Sequence, residues 1–82
     1  MQYTIKFDKK AIKFIQKQPK PQRERIFSSI YKLPQIGDIK AMQGYGNYYR
    51  LRVGDYRIIF TIDDYVLLIH IVAVGNRGDI YK

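Results

Sequence analysis

Tyr49-Arg50-Leu51-Arg52-Val53-Gly54-Asp55-Tyr56-Arg57-Ile58-Ile59-Phe60 is the stretch whose reading decides the fold. Apolar and polar residues alternate on both sides of Gly54-Asp55, the period of a strand with one buried face. Gly54-Asp55, with glycine first, suits the two-residue turn of a β-hairpin. If those two residues are the whole loop, Val53 pairs with Tyr56, Arg52 with Arg57, Leu51 with Ile58, Arg50 with Ile59 and Tyr49 with Phe60. Leu51, Ile58, Tyr49 and Phe60 then share one face, and Arg50, Arg52 and Arg57 share the other. Arginine directly opposite arginine is unfavourable on a ladder. A bound anion would relieve the conflict; the alternative is three long side chains splayed into water.

Outward from the hairpin, the strands read as Asn47 to Val53 and Tyr56 to Ile62. After a turn at Asp63-Asp64, a longer strand runs from Tyr65 or Val66 to Val74, ended by Gly75. A turn of Asp63-Asp64 alone sets His70 opposite Arg57 on the basic face. One further residue moves His70 to the other side, because the side-chain period is two. His70 is either an acid–base group or a tolerated sheet residue.

Towards the N-terminus, Gln2 to Phe7 alternates as a short strand, and Asp8 is placed to cap a helix from Lys9 to about Lys17. Ala11, Ile12 and Ile15 form its apolar stripe, and Lys9, Lys10, Lys13 and Lys17 lie outward. Pro19-Lys20-Pro21 breaks that helix, and Pro21 suits the first turn of the next. Ile26, Phe27, Ile30, Tyr31 and Leu33 keep helical spacing to about Leu33. Pro34, Gly37 and Asp38 open a loop that runs to Gly46. The expected fold is therefore α+β, in the order β-α-α-β-β-β. A helical hairpin packs on one face of a mainly antiparallel four-stranded sheet, and residues 1–82 form one domain.

Composition narrows the chemistry. Fifteen Lys and Arg against seven Asp and Glu leave a formal charge of +8, which points to a polyanionic partner, although charge also serves solubility. The chain has no cysteine, so it offers neither disulfides nor thiolate nucleophiles, as befits a reducing cytoplasm. The longest apolar run, Val66 to Val74 around His70, is too short to span a bilayer. Glu24 is the only glutamate, and the later aspartates fall mainly at turns, so a two-metal nuclease site is not expected and no cofactor is implied. RNA offers a route without metal: its own 2′-hydroxyl can attack the adjacent phosphate. Arginine is fitted to the extra negative charge of the phosphorane. Its pKa is too high for proton transfer, which falls to a tyrosine or to His70. Positive charge nearby favours a phenolate, which makes Tyr81 a candidate. Tyr45 and Tyr48, beside the arginines, suit unstacked bases. Tyr3, Tyr31 and Tyr49 read as packing residues.

The hairpin quoted above, together with the ending Val74-Gly75-Asn76-Arg77-Gly78-Asp79-Ile80-Tyr81, resembles the RelE/ParE toxin superfamily, and the RelE-type toxins in particular. The order of elements agrees over the whole chain. The resemblance implies the toxin of a type II toxin–antitoxin pair, a cytoplasmic, metal-independent endoribonuclease (an mRNA interferase) that cleaves mRNA in the ribosomal A site. It places Arg50, Arg52, Arg57, Arg77 and Tyr81 at catalytic positions, with Tyr48 and Lys82 as RNA-binding neighbours. It also implies a cognate antitoxin, mRNA and the ribosome as partners, and no membrane. Position 76 departs from the pattern: it is asparagine where many relatives have histidine or lysine. Asparagine carries no proton, so the group that protonates the leaving 5′-oxygen would be Tyr81 or His70, or the reaction would be slow. Three other functions fit parts of the same sequence: a ParE-like DNA gyrase inhibitor, a nucleic-acid-binding module without catalysis, and a weakened toxin that only binds RNA or antitoxin.

Overall fold

A computed structural model describes residues 2–44 and 46–76. The elements are β1 (Thr4–Phe7), α1 (Lys9–Gln16), α2 (Lys20–Ile30), β2 (Asp38–Ala41), β3 (Tyr48–Val53), β4 (Tyr56–Asp63) and β5 (Leu68–Asn76). They build one sheet in the order β1-β5-β4-β3-β2 with two helices on one face. The α+β class and the helical hairpin agree with expectation. The sheet is mainly antiparallel, as expected, but it has five strands, not four; β1 runs parallel to β5 and the other three pairings are antiparallel.

The unexpected strand, β2, lies inside the segment read as a loop. By register Ile39 and Ala41 face the helix side, but only Ile39 packs against the core, beside Leu51. The other three residues are exposed, so four residues carry a single apolar signal, too little for a period to stand out. Parallel pairing of β1 with β5 joins the two ends of the described chain and leaves no local mark in either strand.

Gly54 has φ +57° and no other residue of the turn has positive φ, which defines a II′-type hairpin with glycine at its first central position. The β3–β4 register follows from it: Val53 opposite Tyr56, Arg52 opposite Arg57, and Leu51 opposite Ile58. At the β4–β5 end the expectation needs correcting. The turn is longer than Asp63-Asp64, because Asp63 pairs with Leu68. Tyr65 and Val66 are turn residues, 100% and 65% exposed, not the start of the strand. The Tyr65 backbone N–H donates to Asp63 Oδ1 (3.0 Å), which closes the chain back before pairing can begin. Gly75 does not end β5, which runs on to Asn76.

A bulge between Ile59 and Phe60 of β4 shifts the β5 register, so that Phe60 faces Ile71 and Ile59 faces Ala73. Val72 is the extra residue. It allows Ile69, Ile71 and Val74 all to reach the core despite their uneven spacing. α1 is capped by Asp8, whose Oδ2 accepts from the Lys10 backbone N–H (3.2 Å). It ends at Gln16, and α2 ends at Ile30, short of the expected Leu33; Leu33 is still buried from the turn that follows. Ala11 and Ile15 of α1, with Ile26 and Ile30 of α2, meet Leu51, Ile58, Phe60, Ile69 and Ile71 in one core. Phe60 is wholly buried and stacks on Tyr49 at a centroid distance of 5.7 Å.

Tyr3 donates its hydroxyl to Asp64 Oδ1 (2.6 Å), tying the chain ahead of β1 to the β4–β5 turn. That hydrogen bond, and the carboxylate charge behind it, raise the phenol pKa above its ordinary value of 10.0. The tie therefore holds fully below the ordinary phenol range and is lost as pH rises through the folded value.

A test of the hairpin is Gly54→Ala. The new Cβ would lie 3.2 Å from Arg25 Nη1, a flexible contact, but the left-handed backbone would be strained. The expected loss is about 1–2 kcal/mol, read as a lower denaturation midpoint at unchanged slope.

Candidate nucleic-acid interface

Pairing puts directly opposed residues on the same side of a sheet, so the register assigns the face away from the helices. Its first row is Asp38, Arg52, Arg57 and Gly75, from β2 to β5. The next is Lys40, Arg50, Ile59 and Ala73. A third is Tyr48, Thr61, His70 and Lys6. Arg50, Arg52 and Arg57 therefore come together as expected, and Tyr48 lies on the same face, 37% exposed.

His70 does join this face, but the longer turn and the bulge move it opposite Thr61; Gly75 takes the place facing Arg57. It stands on the third row, away from the arginines, so the structure does not put it among them. Arg77, Tyr81 and Lys82 lie outside the described residues, as does Tyr45.

The burial of the arginines differs. Arg52 is exposed, while Arg57 is half-buried on the central strand β4. The Arg50 side chain is only 16% exposed, and its Nη2 reaches Asp38 Oδ1 at 3.5 Å, a long contact to a carboxylate that is itself 60% exposed. The Arg50 Nε is buried and has no hydrogen-bond partner among the described residues. A buried donor without a partner is unfavourable, and a phosphate oxygen is the kind of acceptor that would satisfy it.

The register also reveals two charged residues that sequence reasoning missed, Asp38 and Lys40, both on β2. The signal was present in Asp38-Ile39-Lys40, one apolar residue between two charges, but it is three residues long. With them the first two rows carry four cations and one carboxylate. Asp38 partly neutralises the patch and leaves a strong surplus of positive charge. Among the described residues no three His, Cys, Asp or Glu gather at metal-ligating distance. A separate cavity of about 460 Å³, lined by Gln2, Tyr3, Ile5, Tyr31, Leu33 and Gln35, contains none of the expected site residues.

If the patch is held under mutual repulsion, the one carboxylate it has among the described residues, Asp38, should matter. Asp38→Asn is expected to lower stability by about 0.5 kcal/mol at low ionic strength. The loss should fade at about 1 M salt, where screening is nearly complete. Thermal melts across a salt series check it.

The comparisons with known proteins agree with this architecture. A family model described as the ParE toxin of the type II toxin–antitoxin system parDE matches residues 5–81. A RelE-like toxin protein of Escherichia coli is 32% identical over 89 residues, covering 100% of this chain and 93% of its own length. Among solved structures, the archaeal RelE–RelB complex from Pyrococcus horikoshii OT3 contains a chain that superposes with a TM-score of 0.78 at 30% identity, over 96% of this chain and 99% of that one. The RelB–RelE antitoxin–toxin complex from Methanococcus jannaschii gives 0.76 at 34% identity, over 93% and 94%. The isolated RelE toxin of E. coli, at 23% identity, shares the fold with a TM-score of 0.76. With the family model spanning nearly the whole sequence, the chain belongs to the RelE/ParE family of type II toxin–antitoxin toxins.

Proposed function

We propose that this toxin is an endoribonuclease that cleaves mRNA in the ribosomal A site without a metal ion. The observation that carries the reading is the patch of Arg50, Arg52 and Arg57, with Arg52 opposite Arg57 across one ladder. Stability alone gives no reason for that pairing, whereas a phosphate does. In the reaction the 2′-oxygen attacks the adjacent phosphorus, and the bond from phosphorus to the 5′-oxygen breaks. The products are a 2′,3′-cyclic phosphate and a 5′-hydroxyl. The 2′-hydroxyl proton passes to a base, and the leaving 5′-oxygen takes up a proton.

The roles follow from chemistry and position. Arg57, half-buried on a central strand, is suited to hold the phosphorane charge, with Arg50 and Arg52 orienting the flanking phosphates. Tyr48, on the same face, offers a ring for a base, and Lys82 a further phosphate contact. β5 ends at Asn76, just past the Gly75 that faces Arg57, so Arg77 follows in sequence directly from the edge of the patch. Tyr81 is assigned to stacking and proton transfer. Asn76 is exposed at the strand end and has no proton to give.

The protein would work in the cytoplasm, where its substrate is. No helix among the described residues is long and apolar enough to cross a membrane. Its cognate antitoxin would be an acidic, amphipathic segment that folds on binding and covers the basic patch. Two of the solved relatives are complexes of RelE with RelB.

A second reading, a ParE-like inhibitor that binds DNA gyrase, is favoured by the description of the matching family model. It requires neither the tail residues nor strand scission.

Primer extension on mRNA in programmed ribosomes, with free RNA in parallel, separates the two. Arg57→Ala is expected to lower A-site cleavage by about 10²–10³-fold, the usual effect of losing a transition-state donor. Arg77→Ala and Tyr81→Phe should also lower it. Intact protein that leaves every mRNA whole yet inhibits gyrase supercoiling would favour the second reading.

A further inference from the structure

The third row of the outer face sets two rings on either side of a small residue. It runs Tyr48, Thr61, His70 and Lys6, one residue from each of β3, β4, β5 and β1. Tyr48 and Lys6 are exposed, and Thr61 and His70 are half-buried. Among the described residues none of these four side chains takes part in a hydrogen bond, an ion pair or a ring contact.

Neighbouring strands lie about 4.8 Å apart, so Tyr48 and His70 are separated across β4 by about 9.6 Å. Side chains stand roughly perpendicular to a sheet. The two rings are therefore walls of a slot, and Thr61 is its floor, too short to fill it. A flat ring between two others needs about 3.4 Å on each side, the spacing of stacked bases, or about 7 Å in all. One base fits, and a small inward lean of the walls closes on it. The Thr61 hydroxyl can donate to a base edge or accept from one. Lys6, beside His70 at the rim, supplies a cation for an adjoining phosphate.

The slot is continuous with the arginine rows. Tyr48 lies one row from Arg50 on the same strand. One row is two residues, about 6.8 Å, close to the step of one nucleotide in an extended single strand. His70 is two rows from Arg57, about 13 Å along the strands, too far to exchange a proton at a phosphate held there.

We propose that Tyr48 and His70 form a slot that grips one unstacked base of the RNA strand, next to the phosphate held by Arg50, with Thr61 at the base edge and Lys6 on the adjoining phosphate. The proposal rests on the ribonuclease reading and gives His70 a base-binding role in it. Rings interleaved with cations suit a single strand, because every base has a face to stack. An acidic peptide with an aromatic side chain is the competing occupant. The arginine rows beside the slot favour a chain that brings a charge at every step.

The test measures anisotropy of two labelled single strands on the full-length protein: a 2′-O-methyl oligoadenylate, and the same backbone with every base removed. His70→Ala should weaken binding of the oligoadenylate at least about fivefold, the lower end of the effect of losing a stacking ring, and leave the baseless strand unchanged. His70→Phe should restore the preference for bases. The ratio of the two affinities is read on one variant, so a general loss of stability cancels from it. Arg50→Gln with Arg52→Gln should weaken both strands alike. An equal ratio in the parent and His70→Ala overturns the proposal, and so does a loss that His70→Phe fails to restore. If His70→Ala instead weakens only an acidic, tryptophan-containing peptide, the slot belongs to a protein partner and the proposal falls. Failure of the ribonuclease reading shows separately, as arginine variants that bind both strands like the parent.

Discussion

The register of β3 against β4 governs the rest of the molecule. It is set where the chain reverses at Gly54-Asp55, with glycine supplying the positive φ that the turn needs. Given that register, Leu51, Ile58 and Phe60 enter the core and Arg50, Arg52 and Arg57 collect on the opposite face. A slip of one residue along one strand would turn its apolar side chains to water and its arginines to the helices. The burial of Phe60 and its stacking on Tyr49 make such a slip expensive, so the fold's strongest packing also fixes the geometry of the basic patch.

Several charges on this protein are arranged against local stability. Among the described residues Arg52 faces Arg57, the Arg50 Nε is buried without a hydrogen-bond partner, and one carboxylate, Asp38, leans on the patch at 3.5 Å. On the helix side, lysines occupy the first turn of α1. Each arrangement is modest in energy taken alone. Together they account for much of a formal charge of +8, and they place it on two opposite faces, not evenly over the surface.

Most of this was legible from residue order. The hairpin register was readable because alternation and turn chemistry point the same way, and α1 because Asp8, Ala11 and Ile15 mark its cap and its buried side. β2 was not readable: Ile39 alone carries its pattern. The β4–β5 turn was misplaced because Tyr65 and Val66 continue an apolar run although both stand in water. Apolarity marks a strand only where something covers it. The Val72 bulge and the parallel β1–β5 pairing are tertiary facts, settled by what the core must accommodate. Of the expected site, Arg50, Arg52, Arg57 and Tyr48 share one face. His70 shares it at a distance, opposite Thr61. Arg77, Tyr81 and Lys82 lie outside the described residues.

The central claim is that the arginine face takes an RNA phosphate. The most direct measurement follows the arginine Nε–H resonances of isotope-labelled protein by NMR during titration with a 2′-O-methyl oligoribonucleotide, which binds but cannot be cut by 2′-oxygen attack. The account predicts saturable shifts at the Nε–H groups of Arg50, Arg52 and Arg57, with Arg50 the most protected from exchange once RNA is bound. Shifts confined to other arginines, or none at RNA concentrations that saturate binding, would contradict it.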